Sequence, residues 1–101
     1  DIDAPADVQV VAYRVVQEAL TNVRKHATTA QRVDVRITQV DHELRIRVTD
    51  DGQDSTQPEQ GHGLIGMTER ATALGGILHA GHCPTGGFQV LAQLPLRREN
   101  P

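Results

Sequence analysis

Between Val8 and Val23 the apolar positions are Val8, Val11, Ala12, Val15, Val16, Ala19, Leu20 and Val23. This is the i, i+3, i+4, i+7, i+8 series of a helix with one buried stripe. Pro5 stands just ahead, where a helix start tolerates a missing N–H, and Asp7 complements the dipole of the first turn. Val8, Val10 and Val11 are β-branched, yet the sustained 3.6-residue period outweighs their weaker propensity. The period then changes to two. Val33, Val35 and Ile37 alternate with Asp34, Arg36 and Thr38, and Leu44, Ile46 and Val48 alternate with Arg45, Arg47 and Thr49. The pattern predicts two strands joined through Asp41, His42 and Glu43 as an antiparallel hairpin, one face toward the helix and one toward water.

From Asp51 to Gly63 the stretch DGQDSTQPEQGHG holds no apolar residue that could anchor to a core, and a mobile loop is expected there. A second helix is predicted from Leu64 to Leu74, with Leu64, Met67, Ala71 and Leu74 on one face and Gly75 and Gly76 as its stop. Two further strands, Ile77 to His82 and Phe88 up to Pro95, complete the chain. The order helix, strand, strand, loop, helix, strand, strand implies an α/β fold. Its form is a two-layer sandwich with the helices on one face of a mixed, mostly antiparallel sheet.

With 101 residues the chain is long enough for one domain, spanning 1–101, and not for two. Tyr13 and Phe88 are its only aromatic residues, so the core must be aliphatic. The formal charge is −3 and the basic residues are scattered, which argues against a nucleic-acid or anionic-membrane partner. No apolar run reaches the roughly 18–20 residues of a membrane span, and a lone Cys83 cannot form an internal disulfide, as fits a reducing compartment. The absence of an initiator Met and the end at RRENP lead us to expect a piece of a longer polypeptide.

Glu18, Asn22, Lys25 and His26 are spaced so that they share an arc of roughly 100° on the first helix, flanking its apolar stripe. A carboxylate, an amide oxygen, a cation and an imidazole in one row suit Mg²⁺ beside phosphates, although the same row is compatible with an ordinary solvated face. Asp50 continues the parity of Leu44, Ile46 and Val48 and so points to the face those residues bury, where a carboxylate needs a donor. The alternative for Asp50 is a turn cap ahead of Gly52. Gly61, Gly63 and Gly66 precede or open the second helix, placing free backbone N–H groups at a positive helix end. No strand precedes them as a dinucleotide fingerprint requires, and no Lys-Ser/Thr pair follows as in a P-loop. His79 and His82 fall on opposite faces of their strand, against a zinc site with Cys83, and Ser55 lacks a nucleophile motif.

Taken together, QEALTNVRKHA at 17–27, DDGQD at 50–54 and GHGLIGMTERATALGG at 61–76 resemble the N box and the two glycine boxes of the Bergerat-fold ATPases. That superfamily comprises gyrases, mismatch-repair ATPases, heat-shock chaperones and histidine kinases. PTGGFQVLAQLP is similar to its final strand pair, and the likeness covers nearly the whole chain. The HA after the N box and the GLxGMxER string resemble the nitrate-sensor-like histidine kinases most, with anti-sigma-factor serine kinases an alternative. The resemblance implies ATP with Mg²⁺, the metal being held by Asn22, and Glu18 polarising the attacking group. It implies that Lys25 and His26 contact phosphates and that Asp50 accepts the adenine amino group. It further implies that Gly52 and Gly87 border the nucleotide. Gly61, His62, Gly63 and Leu64 would donate N–H groups to the phosphates, with 51–63 as the ATP lid.

The reaction so implied is phosphoryl transfer to a histidine on a separate dimerisation domain of the same polypeptide, with a response regulator downstream. The domain would be cytoplasmic and without direct membrane contact, and such a domain is compatible with a membrane-anchored full-length protein. Two positions depart from the family: Asp54 stands for a glycine and Phe88 for a threonine. They motivate a second alternative, a non-catalytic module that uses the fold for protein contact.

Overall fold

In the computed structural model, which describes residues 4–26, 31–52, 63–84 and 86–96, the apolar stripe of the first segment becomes α1 (Ala6–His26). Asp7 accepts from the Val8 N–H at 2.9 Å, and the Gln9 N–H reaches the Pro5 carbonyl at 3.0 Å to close the first turn. Val8, Val11, Val15 and Ala19 are buried, whereas Leu20, at the stripe's margin, is 37% exposed. The hairpin follows as β1 (Val33–Val40) and β2 (Glu43–Asp50), turning at Asp41 in the left-handed region (φ 55°). Next come α2 (Gly63–Ala73), β3 (Ile77–His82) and β4 (Phe88–Pro95). α2 stops where Gly75 takes φ 81° and the Gly76 N–H returns to the Ala71 carbonyl at 2.8 Å, a left-handed cap that only glycine adopts without strain.

The sheet order is β1-β2-β4-β3, and all three pairings among the described residues are antiparallel. β2 and β3 therefore run parallel with β4 inserted between them, and α2 is the crossover that joins them. α1 packs on β2 and β4, α2 on β3 and β4, and the helices pack on each other. The core between the layers is aliphatic: Leu44, Ile46 and Val48 of β2 and Val90, Ala92 and Leu94 of β4 meet the α1 stripe and Met67 and Ala71 of α2. Fully burying each larger side chain contributes roughly 1.5–3 kcal/mol.

The alternation in β1 turns one face toward the helix layer as expected, yet every β1 residue is exposed, including Val33 (37%), Val35 (39%) and Ile37 (47%). Their side chains do point to the helix side, because Val35 pairs with Val48 and Ile37 with Ile46. Two helices centred on β2, β4 and β3 do not extend over the fourth strand. The segment expected to be a mobile loop lies, from 53 to 62, outside the described residues.

The different burial of two isoleucines on neighbouring strands can be measured. Ile46→Ala, at a position with no exposure, should cost about 2–5 kcal/mol by cavity formation. Ile37→Ala should cost about 1 kcal/mol, since much of that side chain is already in water. Chemical denaturation of the two variants checks the ranking.

Candidate functional site

The connections bring one end of the sheet together with two helix ends. Ala12, Tyr13 and Val16 of α1 line a groove with Ile37 and Leu44, so the N-terminal half of the helix lies at the Leu44 end of β2. From there α1 continues through Glu18 and Asn22 to its end at His26. The C-terminal stop of α2 sits beside Gln93 and Leu94, which a Cβ on Gly76 would strike. The 11-residue helix therefore carries its N-terminus, Gly63 and Leu64, roughly 16 Å toward the Asp50 end.

At that end Asp50 closes β2 on the buried face. It is 5% exposed and is the one buried charged side chain among the described residues. Its Oδ1 accepts from the Gly52 N–H at 2.8 Å, so the turn-capping reading of Asp50 is realised in one oxygen. A carboxylate has further acceptor capacity, and burial in a row of apolar side chains makes an additional donor favourable. Gly87 packs against this residue so closely that a Cβ there would overlap the Asp50 carbonyl oxygen and lie 3.3 Å from the Asp51 Cα. With φ 91° and no room for a side chain, the position is confined to glycine.

Asp51, one residue on and therefore on the opposite face, does different work that sequence reading overlooked. Its Oδ1 accepts from the backbone N–H groups of Gln31 (2.9 Å) and Arg32 (3.0 Å), and its own N–H donates to the Arg32 carbonyl at 3.3 Å. These bonds tie the entry of β1 to the exit of β2. The Arg32 and Gln31 donors hold the Asp51 carboxyl below its ordinary value of 3.8. The available signal was two consecutive carboxylates at a strand end, of which only one can share the buried parity.

On α1, Glu18 and Asn22 are half-buried, one turn apart. The Asn22 Nδ2 is buried without a hydrogen-bond partner among the described residues, an atom that ordinarily finds one. Lys25 and His26 belong to the last turn of α1, and their side chains lie outside the described residues, as do Gly61, His62 and Asp54 entirely. Gly52 is buried, Gly63 opens α2 and Leu64 packs against the core. Among the described residues no three His, Cys, Asp or Glu side chains cluster as metal ligands, and no helix is long and apolar enough to cross a membrane.

A two-layer sandwich of this topology is shared with the ATP-binding domains of bacterial histidine kinases. The histidine kinase domain of the blue-light activated histidine kinase EL346 from Erythrobacter litoralis superposes with a TM-score of 0.76 at 27% identity, covering 94% of this chain and 48% of that one. The ATP binding domain of PrrB from Mycobacterium tuberculosis shares the fold with a TM-score of 0.67 at 20% identity, covering 96% and 78%. Residues 7–98 match the family of histidine kinase-, DNA gyrase B- and HSP90-like ATPases, and the chain belongs to that family as an ATP-binding domain of the histidine kinase type. Sensor histidine kinase YxjM of Bacillus subtilis (strain 168) is 38% identical over 96 residues, covering 95% of this chain and 23% of that protein. The histidine-protein kinase/phosphatase DegS of Brevibacillus brevis is 36% identical over 98 residues, covering 94% and 25%. The chain thus spans about a quarter of the length of these relatives.

The depressed Asp51 carboxyl has a defined pH signature. A group whose folded value lies below its unfolded one contributes stability above the unfolded value and loses it as pH falls through the folded value. The stability advantage of the wild type over Asp51→Asn should therefore be constant above 3.8 and shrink as the pH is lowered beyond it. Urea unfolding of both proteins across the acid range measures this.

Proposed function

We propose that residues 1–101 form the catalytic domain of a sensor histidine kinase, which transfers the γ-phosphoryl group of MgATP to a histidine on a dimerisation domain of the same polypeptide. A response regulator would act downstream. The observation that carries this reading is the buried Asp50 carboxylate at the end of β2, beside which Gly52 and Gly87 are held. The adenine amino group supplies the additional donor that Asp50 favours, with Gly52 and Gly87 close around it. N–H groups of Gly61, His62, Gly63 and Leu64, at the positive end of α2, receive the phosphates, assisted by Lys25 and His26. Glu18, one turn before Asn22, polarises the attacking imidazole.

The residues present fit Mg²⁺. The Asn22 Nδ2 is buried without a partner among the described residues, and the oxygen at the other end of the same amide is a neutral ligand of the kind Mg²⁺ accepts. Mg²⁺ takes few protein ligands and is otherwise satisfied by phosphate oxygens and water, so a single amide without a carboxylate cage suits it. When bound, the ion neutralises phosphate charge. Positioning and charge stabilisation account for most of such a transfer, so the reading requires no covalent intermediate on this domain. The domain acts in the cytoplasm, without nucleic acid and without direct membrane contact.

Asn22→Ala should abolish Mg²⁺-dependent ATP binding while leaving thermal stability unchanged or raised, because it removes a buried Nδ2 that has no partner among the described residues. Calorimetric titration with and without Mg²⁺, beside a melting curve, tests both halves, and unchanged Mg²⁺ dependence would reject the assignment. ATP should also outcompete GTP by roughly tenfold to a hundredfold, since guanine presents a carbonyl where Asp50 wants a donor and such a mismatch costs about 1–3 kcal/mol. Equal affinities would reduce Asp50 to a turn residue.

A further inference from the structure

The strand register places Asp50 in a cross-sheet row that no motif foreshadows. Thr49 pairs with Gln89, so the same register continued by one residue sets Asp50 opposite Phe88, and Phe88 pairs with His82 on the far strand. By parity these side chains all stand on the helix side, in the order Val33, Asp50, Phe88, His82. Phe88 is half-buried, packed on one side against the core, and its ring meets the His82 imidazole edge-on, with centroids 5.2 Å apart and planes at 80°. The T-shaped contact fixes the ring's orientation beside the carboxylate. Gly87 anchors the start of β4 against the Asp50 backbone, so ring and carboxylate are held on one rigid corner.

We infer that Phe88 is a base-binding residue: its ring forms the apolar wall against which a planar purine lies while its amino edge meets Asp50, with His82 as the positioning residue behind it. This rests on the reading of Asp50 as the adenine acceptor. A carboxylate selects a donor edge, and an adjoining π surface adds affinity that depends on the base being flat, with no dependence on the phosphates.

The chain has a single Phe, a single Tyr and no Trp, so ring protons of Phe88 are readily assigned by NMR. In the wild-type chain with ATP, nuclear Overhauser contacts are expected between the adenine H2 or H8 and the Phe88 ring. Phe88→Ala should weaken ATP about tenfold, the order of one lost base–aromatic stack, and leave inorganic triphosphate binding within about twofold. Phe88→Tyr should retain wild-type ATP affinity. His82→Ala should weaken ATP by a smaller factor, again without effect on triphosphate. Absence of the contacts in a protein that binds ATP, equal losses for ATP and triphosphate, or tighter ATP binding by Phe88→Ala would each overturn the inference while leaving the ATP site itself standing. Failure of the wild type to bind ATP at all would instead remove the reading on which it rests.

Discussion

The structure depends on one aliphatic contact, the stripe of Val8, Val11, Val15 and Ala19 laid over the inner faces of β2 and β4. Without an aromatic residue in the fully buried set, each side chain contributes modestly, and the core is stable only when both strands are present beneath the helix. β4 is the last strand among the described residues and enters between β2 and β3. The core is therefore completed by a long-range insertion. The same insertion brings the start of β4 against the end of β2, which is where the polar residues collect.

That corner shows how strand parity allots roles to adjacent residues. Asp50 and Asp51 are chemically identical neighbours. Asp50 faces the helix layer, buried and capped by Gly52 N–H, and has acceptor capacity left for a ligand. Asp51 faces the other way and spends its carboxylate on the backbone of Gln31 and Arg32, pinning β1 to β2. One is available to bind because the other secures the strand end that positions it. On α1 the buried Nδ2 of Asn22 has no partner among the described residues, and a polar atom buried without a bond is a stability cost.

Much of this could be read from the residues. The 3.6-residue stripe of α1, the alternation of β2 and β4, the Gly75–Gly76 stop of α2 and the inward parity of Asp50 are local regularities, and each became the element it predicted. The exposure of β1 could not be read, because the alternation of Val33, Val35 and Ile37 states which face is apolar and not whether a helix reaches it. The tie from Asp51 to Gln31 and Arg32 spans 19 to 20 residues and depends on hairpin register.

The elements, the aliphatic character of the core and the residue types available for nucleotide chemistry follow from the order of residues alone, because periodicity and composition act over a few neighbouring residues. That β4 separates β2 from β3, that β1 lies beyond the helix layer, and that Phe88 and His82 share a row with Asp50 emerges with the assembled sheet. Those relations are set by the register of strands far apart in the chain. Register is chosen by the simultaneous burial of many side chains on one face, a collective term that no short segment contains.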